Sequence, residues 1–149
     1  MFIRQGAEGA FIMTPKKITA RDVPRGQYTS YLKKAREFFN AMESALSAGN
    51  WDAVGLNAAH CAISAADALL VRHAGKRSAG EAHHETAILL AQYITDDQIS
   101  AKVQTYGRII SFKHLAAYEA REMTAAEAHE AAKITQRFIE WAQSLLKQA

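Results

Sequence analysis

Four side chains near the end of one amphipathic stretch carry the most suggestive chemistry in the sequence. They are Arg108, His114, Tyr118 and Arg121, in the run Arg108-Ile-Ile-Ser-Phe-Lys-His114-Leu-Ala-Ala-Tyr118-Glu-Ala-Arg121. A guanidinium with a nearby imidazole can hold a phosphate and move a proton to or from a ribose hydroxyl. Six residues of α-helix turn through roughly 600°, which leaves Arg108 and His114 about 120° from alignment. They converge only if two copies meet across a dimer seam or if a helix start falls between them. The plainer reading makes both of them surface or interface polar groups. Tyr118 and Arg121 stand at i, i+3, where they can stack or hydrogen-bond across to the next helix, a role more often structural than functional.

The six histidines are the next candidates. His83-His84 lies between Glu81 and Glu85, and Glu81 with His84 forms one E-x-x-H. A di-metal bundle needs a second such pair and two further inward glutamates. No second copy occurs, and His60 and His73 have no partner ligand at i+3 or i+4. The expectation is no metal and no other cofactor. The single cysteine, Cys61, lies mid-way along the most apolar stretch, where a reactive thiolate is disfavoured. No glycine-rich phosphate loop, Walker pattern or G-x-S-x-G occurs.

The elements that must position these groups are helices. The chain has 149 residues, one domain's worth, and 49% of them are hydrophobic. Both prolines, Pro15 and Pro24, lie in the first sixth, so long helices meet no breaker afterwards. Residues 1–26 are punctuated by Gly6, Gly9, Pro15, Pro24 and Gly26, and read as a basic, irregular leader, extended or loosely docked. Residues 27–149 read as the bundle domain. The first 36 residues hold eight Lys/Arg against two acids, and the remainder ten against thirteen. A basic leader can attract phosphate polymers or an acidic partner, although a solvated tail is the simpler reading. One cysteine, no long apolar run and no signal-like start point to the cytoplasm and away from a membrane.

Five helices are expected. The first spans 28–48, with Tyr28, Leu32, Ala35, Phe39, Met42 and Leu46 on one face and Gly49-Asn50 as its stop. The second, 51–73, is apolar nearly all round and should be central. A short third covers about 80–94, with a Ser78–Glu81 capping box. The fourth, about 97–120, has Ile99, Val103, Tyr106 and Ile110 on its stripe, with Ile109, Phe112 and Leu115 as extra apolar surface for a partner. Gly107 suggests a close helix approach. The fifth, to about 147, opens on the box Thr124-Ala-Ala-Glu127. No strand alternation competes anywhere. Short connections make an antiparallel, up-and-down all-α bundle.

Within this frame a family resemblance emerges. Residues 113–146 resemble the C-terminal part of HEPN-domain proteins, small prokaryotic helical bundles, through Y-E-x-R at Tyr118–Arg121, T-x-x-E-A at Thr124–Ala128 and the apolar last helix with its E-W. The Y-L-x-K-A-x-E-F-F run at Tyr31–Phe39 and the A-A-H at Ala58–His60 are also similar. The resemblance covers roughly residues 28–147. It implies a bundle that usually dimerises, and a family of RNA- or nucleotide-binding proteins that includes metal-independent endoribonucleases. Many of those are toxins paired with a nucleotidyltransferase-type antitoxin protein. It further implies catalytic roles for Arg108 and His114, which fit the family's R-x4–6-H, and nucleotide contacts for Tyr118 and Arg121. Ile109 stands where a polar residue is usual, and Tyr118 follows His114 by four residues, farther than in the toxin branch. The alternative is a non-catalytic, dimeric helical interaction module.

Overall fold

The computed structural model describes residues 19–80 and 83–148. Five helices build the bundle: α1 (Tyr28–Ala48), α2 (Trp51–Ala74), α3 (His83–Tyr93), α4 (Ile99–Tyr118) and α5 (Ala125–Gln148). Two short strands, β1 (Ala20–Asp22) and β2 (Lys76–Ser78), pair antiparallel at one end.

The helix ends follow local chemistry. Gly49 and Gly75 take left-handed φ values of 74° and 63°, which a side chain rarely adopts, and so terminate α1 and α2. The Asn50 N–H closes the first end on the Ala45 carbonyl at 2.9 Å. The capping box expected at α5 forms in both directions: the Glu127 N–H donates to Thr124 Oγ1 at 3.1 Å, and the Thr124 N–H donates to Glu127 Oε1 at 2.8 Å. Asp96 links two elements, accepting from the Gln98 N–H at the start of α4 and from Trp141 Nε1 of α5. At the foot of α3, Ser78 Oγ accepts from the Gly80 N–H, while Glu81, the other half of the expected box, lies outside the described residues.

The central place expected for the second helix is where α2 sits. It packs against all four other helices, and fourteen of its residues are buried. It is long and apolar enough to cross a membrane by composition, but 78% of its apolar window lies inside the bundle. Its small side chains permit close approach: a Cβ added at Gly55 would strike the Met123 side chain and press on Ala116 Cβ at 3.3 Å.

Three expectations need correction. Residues 20–22 are not a loose leader; they form a ribbon with residues 76–78, too short for an alternating pattern to declare itself. Gly107 faces open space, with nothing within 4 Å of an added Cβ, so no helix crosses there. Ile109 is fully buried, and Phe112 and Leu115 pack half-buried against the core, so the apolar surplus on α4 mostly serves the bundle itself.

Candidate functional site

The ribbon, the start of α3 and the end of α4 enclose a cleft of about 590 Å³. Arg77 and Gly80 line it from β2 and the turn that follows, His83 from α3, and Ile110, Lys113, His114 and Tyr118 from α4. Arg77, His83, Lys113 and His114 give that lining its basic character. No lining residue among those described is a carboxylate.

Arg77 is fixed from behind. Its Nε donates to Asp67 Oδ2 at 3.0 Å, and its guanidinium lies 5.2 Å from the centre of the Tyr31 ring. Asp67 is 4% exposed, on the central helix. Burial raises its pKa, and the charges of Arg77 and Arg21 work against that rise. The arrangement holds one guanidinium rigidly at the cleft wall, and a guanidinium carries more N–H donors than these contacts use.

Lys113 and His83 meet across the cleft floor. The Lys113 ammonium donates to His83 Nε2 at 3.3 Å. An ammonium has no lone pair, so this contact requires the imidazole to present an unprotonated nitrogen. Burial first, then the charges of Lys113 and His60, lower the pKa of His83. Burial and Lys113 lower that of His60 in the same way, where its ring stacks on Phe38 at 5.2 Å. The inner cluster therefore gathers three potential cations, and burial and proximity favour the neutral form of both imidazoles. Gly80 sits close against α3: a Cβ there would come within 2.9 Å of Glu85 Oε1, so the Glu85 carboxylate would have to shift.

His114 and Tyr118 form the outer wall, one helical turn apart, with ring centres 5.4 Å apart and planes inclined by 44°. Tyr118 is 71% exposed, the most open of the large apolar side chains among the described residues. Glu119 approaches His114 at 3.5 Å.

The four residues singled out in the sequence are thus divided. His114 and Tyr118 share the cleft. Arg108 turns toward α5, where its Nη2 donates to Glu130 Oε2 at 3.1 Å. The angular offset read from the sequence is reflected in these different neighbours. Arg121 lies beyond the end of α4, whose last residue is Tyr118, so the two do not form a helical i, i+3 pair. Instead Arg121 clamps the start of α5 through two bonds to the Glu127 carboxylate, at 3.0 and 2.8 Å. That pairing, with the Thr124 N–H, holds the Glu127 pKa down at about 2. The Glu81 half of the E-x-x-H lies outside the described residues. Among those described, no three His, Cys, Asp or Glu side chains converge as metal ligands. Cys61 is buried, which pushes its thiol up to about 12.

The bundle matches a known family. The HEPN domain model matches residues 28–145. The chain belongs to the HEPN family. The match begins at the first residue of α1 and stops three residues short of the end of α5, so the HEPN unit is the bundle itself and β1 precedes it. The bundle is similar to the crystal structure of TT1696 from Thermus thermophilus, with a TM-score of 0.64, 20% identity, and coverage of 79% of this chain and 97% of that one. At that identity the likeness speaks for the fold alone. No curated protein matches the chain.

Sequence reasoning missed Arg77, Lys113 and Asp67. Arg77 and Lys113 are 36 positions apart and share no periodic signal. One available clue was Asp67, the one acid in the mostly small and apolar middle of α2, which calls for a cationic partner from elsewhere.

Proposed function

We propose that this HEPN protein binds a phosphate-bearing ligand, a nucleotide or RNA, in the cleft between β2, α3 and α4. The observation that carries the proposal is the lining: the cations Arg77 and Lys113 beside His83 and His114, with no carboxylate among the described lining residues. Such a surface is costly to leave facing itself and favourable to fill with an anion. Arg77 and Lys113 take the phosphate oxygens, and the open faces of Tyr118 and His114 accept a base by stacking, which works for every base. Titration with ATP, GTP and a short single-stranded RNA tests this. Lys113→Ala should weaken binding about tenfold, the usual scale for one charge-assisted contact. Binding that is unchanged in both Lys113→Ala and Arg77→Gln would sink the proposal.

A second reading, a metal-independent endoribonuclease, is favoured by the exposure of Arg108 and His114, whose side chains are 60% and 69% accessible. Arg108 would hold the scissile phosphate and His114 would act as general acid or base. Because their side chains diverge within one chain, both would reach one phosphate only with α4 of a second copy alongside. RNA cleavage in EDTA that disappears in Arg108→Ala and His114→Ala supports this reading, and cleavage indifferent to both removes it. A toxin–antitoxin role with a nucleotidyltransferase-type partner belongs to the same reading. A non-catalytic dimeric module instead rests on the exposed Tyr118 and Ile88, and a monomer by light scattering at micromolar concentration would exclude it.

A further inference from the structure

The β1–β2 ribbon is unbalanced in charge from one face to the other. In its register Asp22 stands opposite Lys76, and Arg21 stands opposite Arg77. Directly opposed residues of an antiparallel pair project to the same face, and successive residues alternate faces. One face thus carries a matched pair, with Lys76 Nζ donating to Asp22 Oδ1 at 2.7 Å. The other carries two guanidiniums side by side, an arrangement that is unfavourable without an anion between or beside them. Asp67 supplies one negative charge to that face and spends its hydrogen bond on Arg77. Arg21 is exposed and forms no ion pair among the described residues.

Arg77 belongs to the cleft wall, so its neighbour Arg21 is the next cation encountered on leaving the cleft over the ribbon. Opposed Cα atoms in such a pair lie about 5 Å apart. The exposed Arg21 side chain, at that spacing from the fixed Arg77, can reach the phosphate next to the one Arg77 holds. We infer that Arg21 is a second phosphate contact, so that the ligand carries phosphates in series and passes from the Arg77–Lys113 cleft out across the ribbon. The inference rests on the phosphate-binding reading of the cleft. Phosphates in series occur both in a linear polyphosphate and in an oligonucleotide, and the two are separated by the probes below. It also accounts for the strand itself: residues 20–22 lie outside the matched HEPN unit, and their pairing with β2 is what brings a cation to the rim.

The test uses the full chain with three probes: inorganic phosphate, tripolyphosphate and a short single-stranded oligouridylate. Arg21→Ala should leave inorganic phosphate binding unchanged and weaken the oligouridylate about fourfold at about 0.15 M salt, with the salt slope reduced by about 0.7, the signature of one lost phosphate contact. Arg21→Lys should restore most of the loss. Lys76→Ala, on the opposite face, should change neither. Tripolyphosphate tracking the oligouridylate assigns the contact to closely spaced phosphates, and tripolyphosphate tracking inorganic phosphate assigns it to a nucleic-acid backbone; both support a second contact. The inference is overturned if Arg21→Ala binds the oligouridylate as wild type does, or if Lys76→Ala weakens it equally. Those outcomes leave the cleft intact, whereas loss of the cleft reading appears as wild-type affinity for all three probes in both Lys113→Ala and Arg77→Gln. A wild-type chain that binds none of the three overturns both.

Discussion

Asp67 and Arg77 set the rigid side of the cleft, and their partnership is asymmetric. Asp67 is buried on α2, whereas the Arg77 side chain keeps 30% of its exposure. Removing the carboxylate leaves a half-buried guanidinium with only the Tyr31 ring beside it. Asp67→Ala should therefore destabilise the chain by about 2–3 kcal/mol, at the low end for a broken buried pair because Arg77 retains contact with water. Denaturant melts read this directly. The histidines act in the opposite sense. His60, His73 and His83 all have pKa values lowered from 6.5, with burial as the first cause in each. A group whose native pKa is depressed adds full stability above its unfolded value and loses it as the pH falls, because the unfolded chain takes the proton first. The melting temperature should decline from about pH 7.5 to about pH 5.5, the window around the unfolded histidine value. His83→Gln should make that decline shallower, and an unchanged slope would show that His83 is not held neutral.

Among the elements, α5 was the most legible, and the reason is local. A capping box needs only two residues three apart, and both bonds form as the pattern requires. Thr124→Ala should lower stability by about 1 kcal/mol. Gly107 was read wrongly because a glycine inside a helix has two explanations, a close neighbour or none. Only the neighbour's position, which is not local, distinguishes them. Since an added Cβ meets nothing, Gly107→Ala should raise stability by up to about 1 kcal/mol, the propensity difference alone. The same change at Gly55 should destabilise, because Met123 and Ala116 occupy that space. Thermal melts of the two alanine variants should therefore shift in opposite directions. The ribbon was invisible for a different reason. Three residues cannot show a period of two, and their pairing partner lies 54–58 positions away.

At the scale of the molecule, the sequence made the bundle clear and only half of the site. An apolar α2 with neighbours on every side follows from composition, because a helix apolar all round must be enclosed. The cleft follows from no single helix. Its basic lining comes from β2, α3 and α4, assembled by packing around α2, and only His114 and Tyr118 were near enough in sequence to be noticed together. Arg108, marked by the same motif, faces α5 and Glu130. That divergence separates a binding role, available to one chain, from cleavage, which would require a second.

A ligand held in the β2–α3–α4 cleft of this HEPN protein would touch residues from three separate elements. Amide chemical-shift mapping during titration with ATP tests that placement most directly. The largest perturbations should fall on Arg77, Gly80, His83, Lys113, His114 and Tyr118. Perturbations centred on the other notable groove, between Arg36 of α1 and Gln143 of α5, or none at saturating nucleotide, would contradict it.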